Sequence, residues 1–237
     1  MLDMSHSSSS HSPSSPTPSS NPTNWKSKAK RAWKFFWHDD SLASWLANMV
    51  VAFLVIYFIV YPVLGSALGT SFPIVAVLSE SMQHNIHDEN LCGQSMDRST
   101  WKDSFDNYWD LCGYWYEQRN ITKEQFTDFP LKNGFNKGDV IILYKPNNIQ
   151  VGDVLIFQGN RPQPIIHRVV KVWQEDSNTY YQTKGDHNGD SITGALGESK
   201  ISKDRLLGKG VIRLPYLGWV KILFVEFMSL FGIQITR

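Results

Sequence analysis

The chain has 237 residues, with 23 Lys and Arg against 22 Asp and Glu and a formal net charge of +1. This length suits one domain of ordinary size together with a tail and an anchor. A nearly neutral charge balance lacks the basic stripe that nucleic-acid binding requires, so we expect no nucleic-acid partner.

The N-terminal part consists of two segments of different composition. Residues 1–24 are rich in Ser and Pro and contain almost no large apolar residue. Such a segment cannot bury enough apolar surface to offset the entropy lost on ordering, so we predict a disordered tail. Residues 25–41 follow, where five Lys and Arg side chains are interspersed with Trp and Phe. This composition suits the headgroup region of a membrane.

Residues 42–64 form an apolar segment without charged side chains. About 20 apolar residues cross the hydrocarbon core of a bilayer as a helix. The segment is longer and lies further into the chain than the apolar part of a cleavable signal sequence, so we predict a retained transmembrane helix. The preceding basic residues favour a cytoplasmic N-terminus and place the rest of the chain on the opposite side.

Residues 70–215 have the pattern of a mainly β domain. Short runs rich in β-branched and aromatic residues alternate with Gly-Asp, Pro-Asn and Asp-Ser-Asn turns. Residues 89–130 have a different sequence pattern, in which aromatic side chains recur every three or four positions. We therefore predict a helical insertion whose apolar stripe packs on the β core. Residues 216–237 are again apolar, and we predict a helix in the membrane interface, with a second span as the alternative.

Two cysteines, Cys92 and Cys112, lie in this insertion. They do not form a CxxC pair, so we expect no zinc site. A disulfide and two buried thiols both stay open at this point.

Three short patches carry candidate chemistry. They are Ser79-Glu-Ser-Met82 after an apolar strand, the His in Ile165-Ile-His-Arg-Val-Val170, and Thr183-Lys-Gly-Asp-His-Asn-Gly-Asp190 at a strand-to-turn boundary. A serine hydroxyl becomes an effective nucleophile when a base takes its proton, and histidine suits that task. A carboxylate can orient the imidazole.

The order of these patches resembles the signal peptidase I family. SxSM after an apolar strand, Gly-Asp-Val at 138–140 and 152–154, IIHRVV and TKGDxN follow one another behind a single apolar helix. Bacterial members have Lys at the position of His167, so the chain resembles the archaeal and endoplasmic-reticulum branch. The resemblance implies a signal-peptidase-like β catalytic domain and a serine endopeptidase that removes signal peptides from exported preproteins.

The resemblance also implies the catalytic residues. Ser81 is the expected nucleophile and His167 the expected general base. The family usually has a further Asp five or six positions after the Asp of its Gly-Asp turn, whereas Asp190 follows Asp186 by four. Asp190 and Asp186 are both candidates for the carboxylate that orients His167. We prefer Asp190 in that role, with Asp186 supporting the turn.

Further expectations concern the substrate and its surroundings. The backbone N–H of Ser81 and the hydroxyl of Ser79 are expected to stabilise the oxyanion, and Phe72, Ile74 and Val75 form an apolar edge that an extended substrate can join. We expect no cofactor and no metal. The expected partners are signal peptides, membrane lipid, and accessory subunits or the translocation machinery, at the cell membrane or, in a eukaryote, the endoplasmic-reticulum membrane.

Two other functions stay open from the sequence. One is a membrane-tethered peptidase that processes a narrower set of exported proteins, and the other is a non-catalytic relative that binds signal sequences. An intact Ser81 and His167 favour the enzyme. Three other histidines, His84, His87 and His187, are expected in solvated loops.

Overall fold

The structure of the protein is a computed structural model that describes residues 25–159, 162–194 and 197–230. The predicted disordered tail, residues 1–24, lies outside the described residues, as does the end of the predicted C-terminal segment, residues 231–237. The chain divides into two compact units, one ending at Ile56 and the other beginning at Tyr57.

The first unit contains two helices, α1 (Trp25–His38) and α2 (Leu42–Val55). Ser41 caps α2, because its side chain accepts a hydrogen bond from the backbone N–H of Ser44 at 3.2 Å. The amide of Asn48 donates to a backbone carbonyl of α1 at 2.9 Å. The basic, aromatic helix is therefore hydrogen-bonded to the apolar one.

The apolar helix continues through a π-helical turn, Ile56–Val60, into α3 (Tyr61–Leu68). The whole helix, Leu42–Leu68, has 27 residues and is long and apolar enough to cross a membrane. At about 1.5 Å per residue it is about 40 Å long, which exceeds the ~30 Å of a hydrocarbon core.

The second unit is built on a seven-stranded sheet in the order β1-β4-β9-β5-β6-β7-β8, in which every neighbouring pair is antiparallel. The strands are β1 (Ile74–Ala76), β2 (Asn90–Leu91), β3 (Gln94–Ser95), β4 (Val140–Tyr144), β5 (Val154–Phe157), β6 (Ile165–Glu175), β7 (Asn178–Lys184), β8 (Ile201–Ser202) and β9 (Leu206–Leu214). Strands β2 and β3 form a separate ribbon. The predicted mainly β fold with an apolar helix is confirmed.

Strand β5 is buried on both faces of the sheet, because its side chains alternate between two clusters. Val154 and Ile156 pack in the cluster that contains Met82, whereas Leu155 and Phe157 pack on the opposite face. Met82 directly follows Ser81 and is 1% exposed. The turn that carries the predicted nucleophile is therefore anchored in the core.

The two Gly-Asp turns enter β4 and β5 with the same geometry. Gly138 and Gly152 have φ angles of 89° and 96°, which L side chains rarely adopt. Asp139 and Asp153 each accept a hydrogen bond, at 2.7 and 2.9 Å, from the backbone N–H three residues earlier. Each turn is therefore closed by its own Asp carboxylate directly before its strand begins.

The insertion contains the β2-β3 ribbon and two helices, α4 (Phe105–Glu117) and α5 (Lys123–Thr127). Its aromatic side chains form a cluster that also contains Val170 of β6, so the predicted stripe packs on the β core. Cys92 and Cys112 form a disulfide that joins the ribbon to α4.

After β9, helix α6 covers Trp219–Leu230. Several of its apolar side chains are exposed, among them Val220, Leu223 and Phe224. The placement of this segment in the membrane interface stays a prediction.

Candidate active site

Ser81 and His167 lie side by side, although 86 positions separate them in the chain. Ser81 lies in the turn after β1, and His167 lies on β6 opposite Leu155 of β5. The distance from His167 Nε2 to Ser81 Oγ is 2.9 Å. His167 is 3% exposed, and Ser81 is half-buried. A partly exposed hydroxyl thus lies within hydrogen-bonding distance of a buried imidazole.

Backbone hydrogen bonds hold the Ser81 turn on two sides. The carbonyl of Ser81 accepts from the N–H of His187 at 2.9 Å, and the carbonyl of Met82 accepts from the N–H of Phe135 at 3.0 Å. The first bond comes from the turn after β7 and the second from the segment before β4. The position of Ser81 therefore depends on both segments.

Gly185 packs directly against the Ser81–His167 pair. A Cβ atom at this position would lie 2.7 Å from the Ser81 carbonyl and 2.9 Å from His167 Nε2. We expect Gly185→Ala to lower the free energy of unfolding by about 1–3 kcal/mol, because an added Cβ atom overpacks this buried site and forces the Ser81 turn or the imidazole to shift. The measurement is chemical denaturation of detergent-solubilised protein. An unchanged free energy of unfolding would contradict the close approach.

A glutamate completes the hydrogen bonding of the histidine. His167 Nδ1 is hydrogen-bonded to Glu198 Oε1, and Glu198 Oε2 accepts from the backbone N–H of Ile192 at 3.0 Å. Glu198 is 0% exposed. The imidazole is therefore held between a buried carboxylate and the serine hydroxyl, an arrangement that can deprotonate the hydroxyl and stabilise the resulting imidazolium.

The structure differs here from the sequence prediction. Asp190, the preferred partner of His167, has a side chain 67% exposed and accepts a hydrogen bond from Trp115 Nε1 at 3.1 Å. Asp190, in the turn after β7, contacts Trp115 of α4. The carboxylate that contacts His167 is that of Glu198, eight positions later. In the sequence, the one sign of this difference was the distance from Asp186 to Asp190, which is four positions instead of the usual five or six.

Asp186 is also placed away from His167, in a buried ion pair with Arg168. Arg168 Nε and Nη2 donate to its carboxylate at 2.9 and 2.6 Å, and both side chains are fully buried. The guanidinium also donates to three backbone carbonyls, of Pro130, Leu131 and Gly152, so all five of its N–H groups have acceptors. Because neighbouring residues of a strand face opposite sides, His167 faces the serine and Arg168 faces the insertion.

His84 contributes a further bond to Asp186. Its Nε2 lies 2.9 Å from Asp186 Oδ2, its ring stacks on Tyr108 at 3.6 Å, and its side chain is 11% exposed. The expectation of a solvated loop residue was therefore wrong for His84. Burial lowers the pKa of His84, which favours the neutral imidazole as donor. Burial alone would raise the pKa of Asp186, but Arg168 and the bond from His84 outweigh it and hold that pKa well below its usual range.

The insertion supplies three more donors to the same loop, two phenol hydroxyls and one backbone N–H. Tyr108 OH donates to the backbone carbonyl of Asp186 at 3.0 Å, and Tyr116 OH donates to its carboxylate at 3.2 Å. Burial raises the pKa of both phenols well above the usual value, so both keep their protons. The backbone N–H of Cys92 also donates to the carbonyl of His187 at 2.8 Å. The disulfide-bonded insertion thus holds the loop that contacts Ser81.

Lys184 is buried at the start of this loop. Its Nζ donates to the backbone carbonyls of Gly185 and Asp186 at 3.0 and 3.3 Å. Burial lowers the pKa of Lys184 to about 8. These contacts give Lys184 a structural role at the start of the loop.

The remaining predicted site residues surround the serine and the outer strand. Ser79 Oγ lies 3.2 Å from Ser81 Oγ. Among the residues that the structure describes, β1 pairs with β4 alone, so its other edge has no strand beside it. Phe72 and Ile74 are exposed at 45% and 41%, and Val75 packs against the core.

Comparison with known proteins identifies relatives of this chain. No protein-family model matches the chain. The chain is 31% identical over 101 residues to the signal peptidase complex catalytic subunit SEC11 of Plasmodium falciparum, covering 41% of this chain and 55% of that protein. It is 30% identical over 103 residues to the catalytic subunit SEC11C of Homo sapiens, covering 41% and 54%.

A third relative is SEC11 of Verticillium alfalfae, 28% identical over 102 residues, which covers 40% of this chain and 59% of that protein. The chain spans about half the length of the curated relatives it matches. Over this shared stretch the chain is similar to catalytic subunits of signal peptidase complexes, and the resemblance to the signal peptidase I family is confirmed.

Proposed function

We propose that the protein is a membrane-bound serine endopeptidase that cleaves signal peptides from exported preproteins. The observation that carries this proposal is the 2.9 Å contact between Ser81 Oγ and buried His167 Nε2, on a chain homologous to signal peptidase catalytic subunits. Ser81 is the nucleophile and His167 is the general base.

The reaction proceeds in two steps. His167 Nε2 takes the Ser81 proton while Oγ attacks the scissile carbonyl carbon. The tetrahedral intermediate collapses, the C–N bond breaks, and His167 gives its proton to the leaving amine. Water then attacks the Ser81 ester with His167 again as base, which releases the signal peptide and restores the hydroxyl.

The oxyanion of each tetrahedral intermediate needs preorganised donors. The backbone N–H of Ser81 and the hydroxyl of Ser79 are the donors we assign. Removing one such donor typically costs about 3–4 kcal/mol of transition-state stabilisation. The 3.2 Å separation of the two serine hydroxyls supports this assignment for Ser79.

The unpaired edge of β1 is the proposed site for the substrate backbone. An extended peptide can add to a free strand edge, where main-chain hydrogen bonds provide affinity. Phe72, Ile74 and Val75 then lie beside the residues that precede the cleaved bond. The turn carrying Ser81 follows this strand directly, so the substrate carbonyl is delivered to the nucleophile.

The apolar helix Leu42–Leu68 is the proposed membrane anchor. Its last carbonyl, of Leu68, accepts from Lys145 N–H at 2.8 Å, and Thr70 Oγ1 donates to the carbonyl of Leu207 at 2.7 Å. The sheet thus begins directly after the helix, and Ser81 stays near the membrane surface. A signal peptide is itself an apolar helix with its cleavage site just beyond the bilayer, so this position suits the substrate.

The proposed orientation in the membrane rests on α1 and the apolar helix, and the proposed partners rest on the relatives. Basic α1 precedes the anchor, so we place the N-terminus in the cytoplasm and the sheet on the opposite side. Because the relatives are named catalytic subunits of a complex, we propose accessory subunits as partners. Membrane lipid and the translocation machinery are the other proposed contacts.

A reconstituted cleavage assay tests the function. Membrane-reconstituted wild type and Ser81→Ala are incubated with a preprotein, and cut sites are mapped by mass spectrometry. We expect wild type to cut after the signal peptide and Ser81→Ala to show no cut at that site. Equal cleavage by both proteins would refute the proposed function.

A further inference from the structure

We propose that Glu198 is the carboxylate that positions the general base, in the place where the motif pattern predicts an aspartate. This inference rests on the proposed function and deepens it. It makes Glu198 a positioning residue that acts on the substrate through His167. Asp190 and Asp186 then have no part in orienting the imidazole.

The burial and contacts of Glu198 support this assignment. Its side chain is fully buried, and each carboxylate oxygen has one partner, His167 Nδ1 for Oε1 and the N–H of Ile192 for Oε2. A buried carboxylate is stable only when it is hydrogen-bonded or paired with a charge. The backbone bond from Ile192 fixes the orientation of the carboxylate, and the carboxylate in turn fixes the imidazole.

The two predicted aspartates have other partners. Both oxygens of Asp186 accept hydrogen bonds from Arg168, and His84 and Tyr116 add further ones. Asp190 is exposed and bonded to Trp115. Among the described contacts of His167, the carboxylate on Nδ1 is that of Glu198.

The role of Glu198 follows from the hydrogen-bonding rules of imidazole. A carboxylate only accepts, so Nδ1 of His167 carries the proton. In the neutral imidazole the lone pair then lies on Nε2, which faces Ser81 Oγ at 2.9 Å. Glu198 therefore selects the tautomer that can take the serine proton, and its charge stabilises the imidazolium that forms.

The Glu198→Gln variant tests this tautomer control. The Ile192 N–H must still find an acceptor, so the glutamine oxygen takes the place of Oε2 and its NH₂ group faces Nδ1. Nδ1 then becomes an acceptor and the proton moves to Nε2, where it blocks transfer from Ser81. We expect kcat for preprotein cleavage to fall by about 10³–10⁴-fold, with KM unchanged, because substrate does not touch Glu198.

Matched variants separate this role from a general structural one. Asp190→Asn removes the carboxylate that the motif pattern favours, and we expect wild-type kcat. Glu198→Asp keeps the charge but shortens the side chain by one methylene, and we expect it to recover part of the kcat lost in Glu198→Gln. The ¹⁵N resonances of His167 provide a readout independent of turnover, with the proton on Nδ1 in wild type and on Nε2 in Glu198→Gln.

Each outcome decides the question. The assignment would be overturned if Glu198→Gln kept the wild-type kcat or left the proton of His167 on Nδ1. A large loss of kcat in Asp190→Asn, without such a loss in Glu198→Gln, would also overturn it. Ser81→Ala distinguishes this failure from failure of the proposed function. If Ser81→Ala abolishes cleavage while Glu198→Gln does not reduce it, the function stands and only the role of Glu198 falls.

Discussion

Replacing His167 with Asn is expected to reduce kcat for preprotein cleavage by about 10⁴-fold or more while the protein stays folded. The Asn amide nitrogen can occupy the place of Nδ1 and donate to Glu198, so the buried carboxylate keeps a partner. The variant lacks any group in the place of Nε2, so the Ser81 hydroxyl has no base. Cleavage is measured with purified, reconstituted protein and the same preprotein as for wild type.

His167→Ala is the comparison variant for this result. It removes the base and also leaves the Glu198 carboxylate buried without its imidazole partner, so we expect the same loss of kcat and a lower unfolding midpoint. A His167→Asn protein that is folded and cleaves at more than a tenth of the wild-type rate would contradict the role of general base.

Replacing Arg168 with Met is expected to lower the free energy of unfolding by about 3–5 kcal/mol, the typical cost of removing one partner of a buried ion pair. Met retains much of the apolar volume, but Asp186 is left as an uncompensated buried charge. Three backbone carbonyls also lose their donors. Chemical denaturation in detergent micelles, followed by tryptophan fluorescence, measures the change.

The double variant Arg168→Met/Asp186→Asn is the control. It removes the charge that Arg168→Met leaves behind, so its loss of unfolding free energy should be smaller than the sum of the losses in the two single variants.

The pH dependence of stability has a defined sign. Because the folded protein lowers the pKa of Asp186, this carboxyl adds stability at pH values above its unfolded pKa of about 3.9. Wild type should lose this contribution as the pH falls below about 4. The ion-pair account would be contradicted if the losses of unfolding free energy in the two single variants were additive in the double variant. It would also be contradicted if the double variant lost stability at acid pH in the same way as wild type.

Short motifs mark Ser81 and His167 as the predicted reacting pair, and the structure places their side chains 2.9 Å apart. Ser81 follows an apolar strand and His167 lies within one, and both patterns are local. The mainly β fold was predictable for the same reason, since its strands alternate with Gly-Asp turns. Whether Ser81 and His167 carry the proposed reaction stays a prediction.

The carboxylate and the supporting network were not predictable from local pattern. Glu198 lies 31 positions after His167 in the chain, and none of the three sequence patches contains it. Asp186 pairs with Arg168, whose guanidinium packs on the ring of Phe126 in the insertion, and no local pattern marks this contact. The 20-residue spacing of Cys92 and Cys112 likewise contained no information about their pairing, which depends on the fold of the ribbon against α4.

The most direct test of the Ser81–His167 pair compares preprotein cleavage by Ser81→Ala, His167→Asn and the double variant. Groups that act as one unit are strongly non-additive, so removing either disables the other. We predict equal residual rates for all three proteins, each at least about 10⁴-fold below wild type. A Ser81→Ala protein that still cuts after the signal peptide, or a double variant whose loss is the product of the two single losses, would contradict the account.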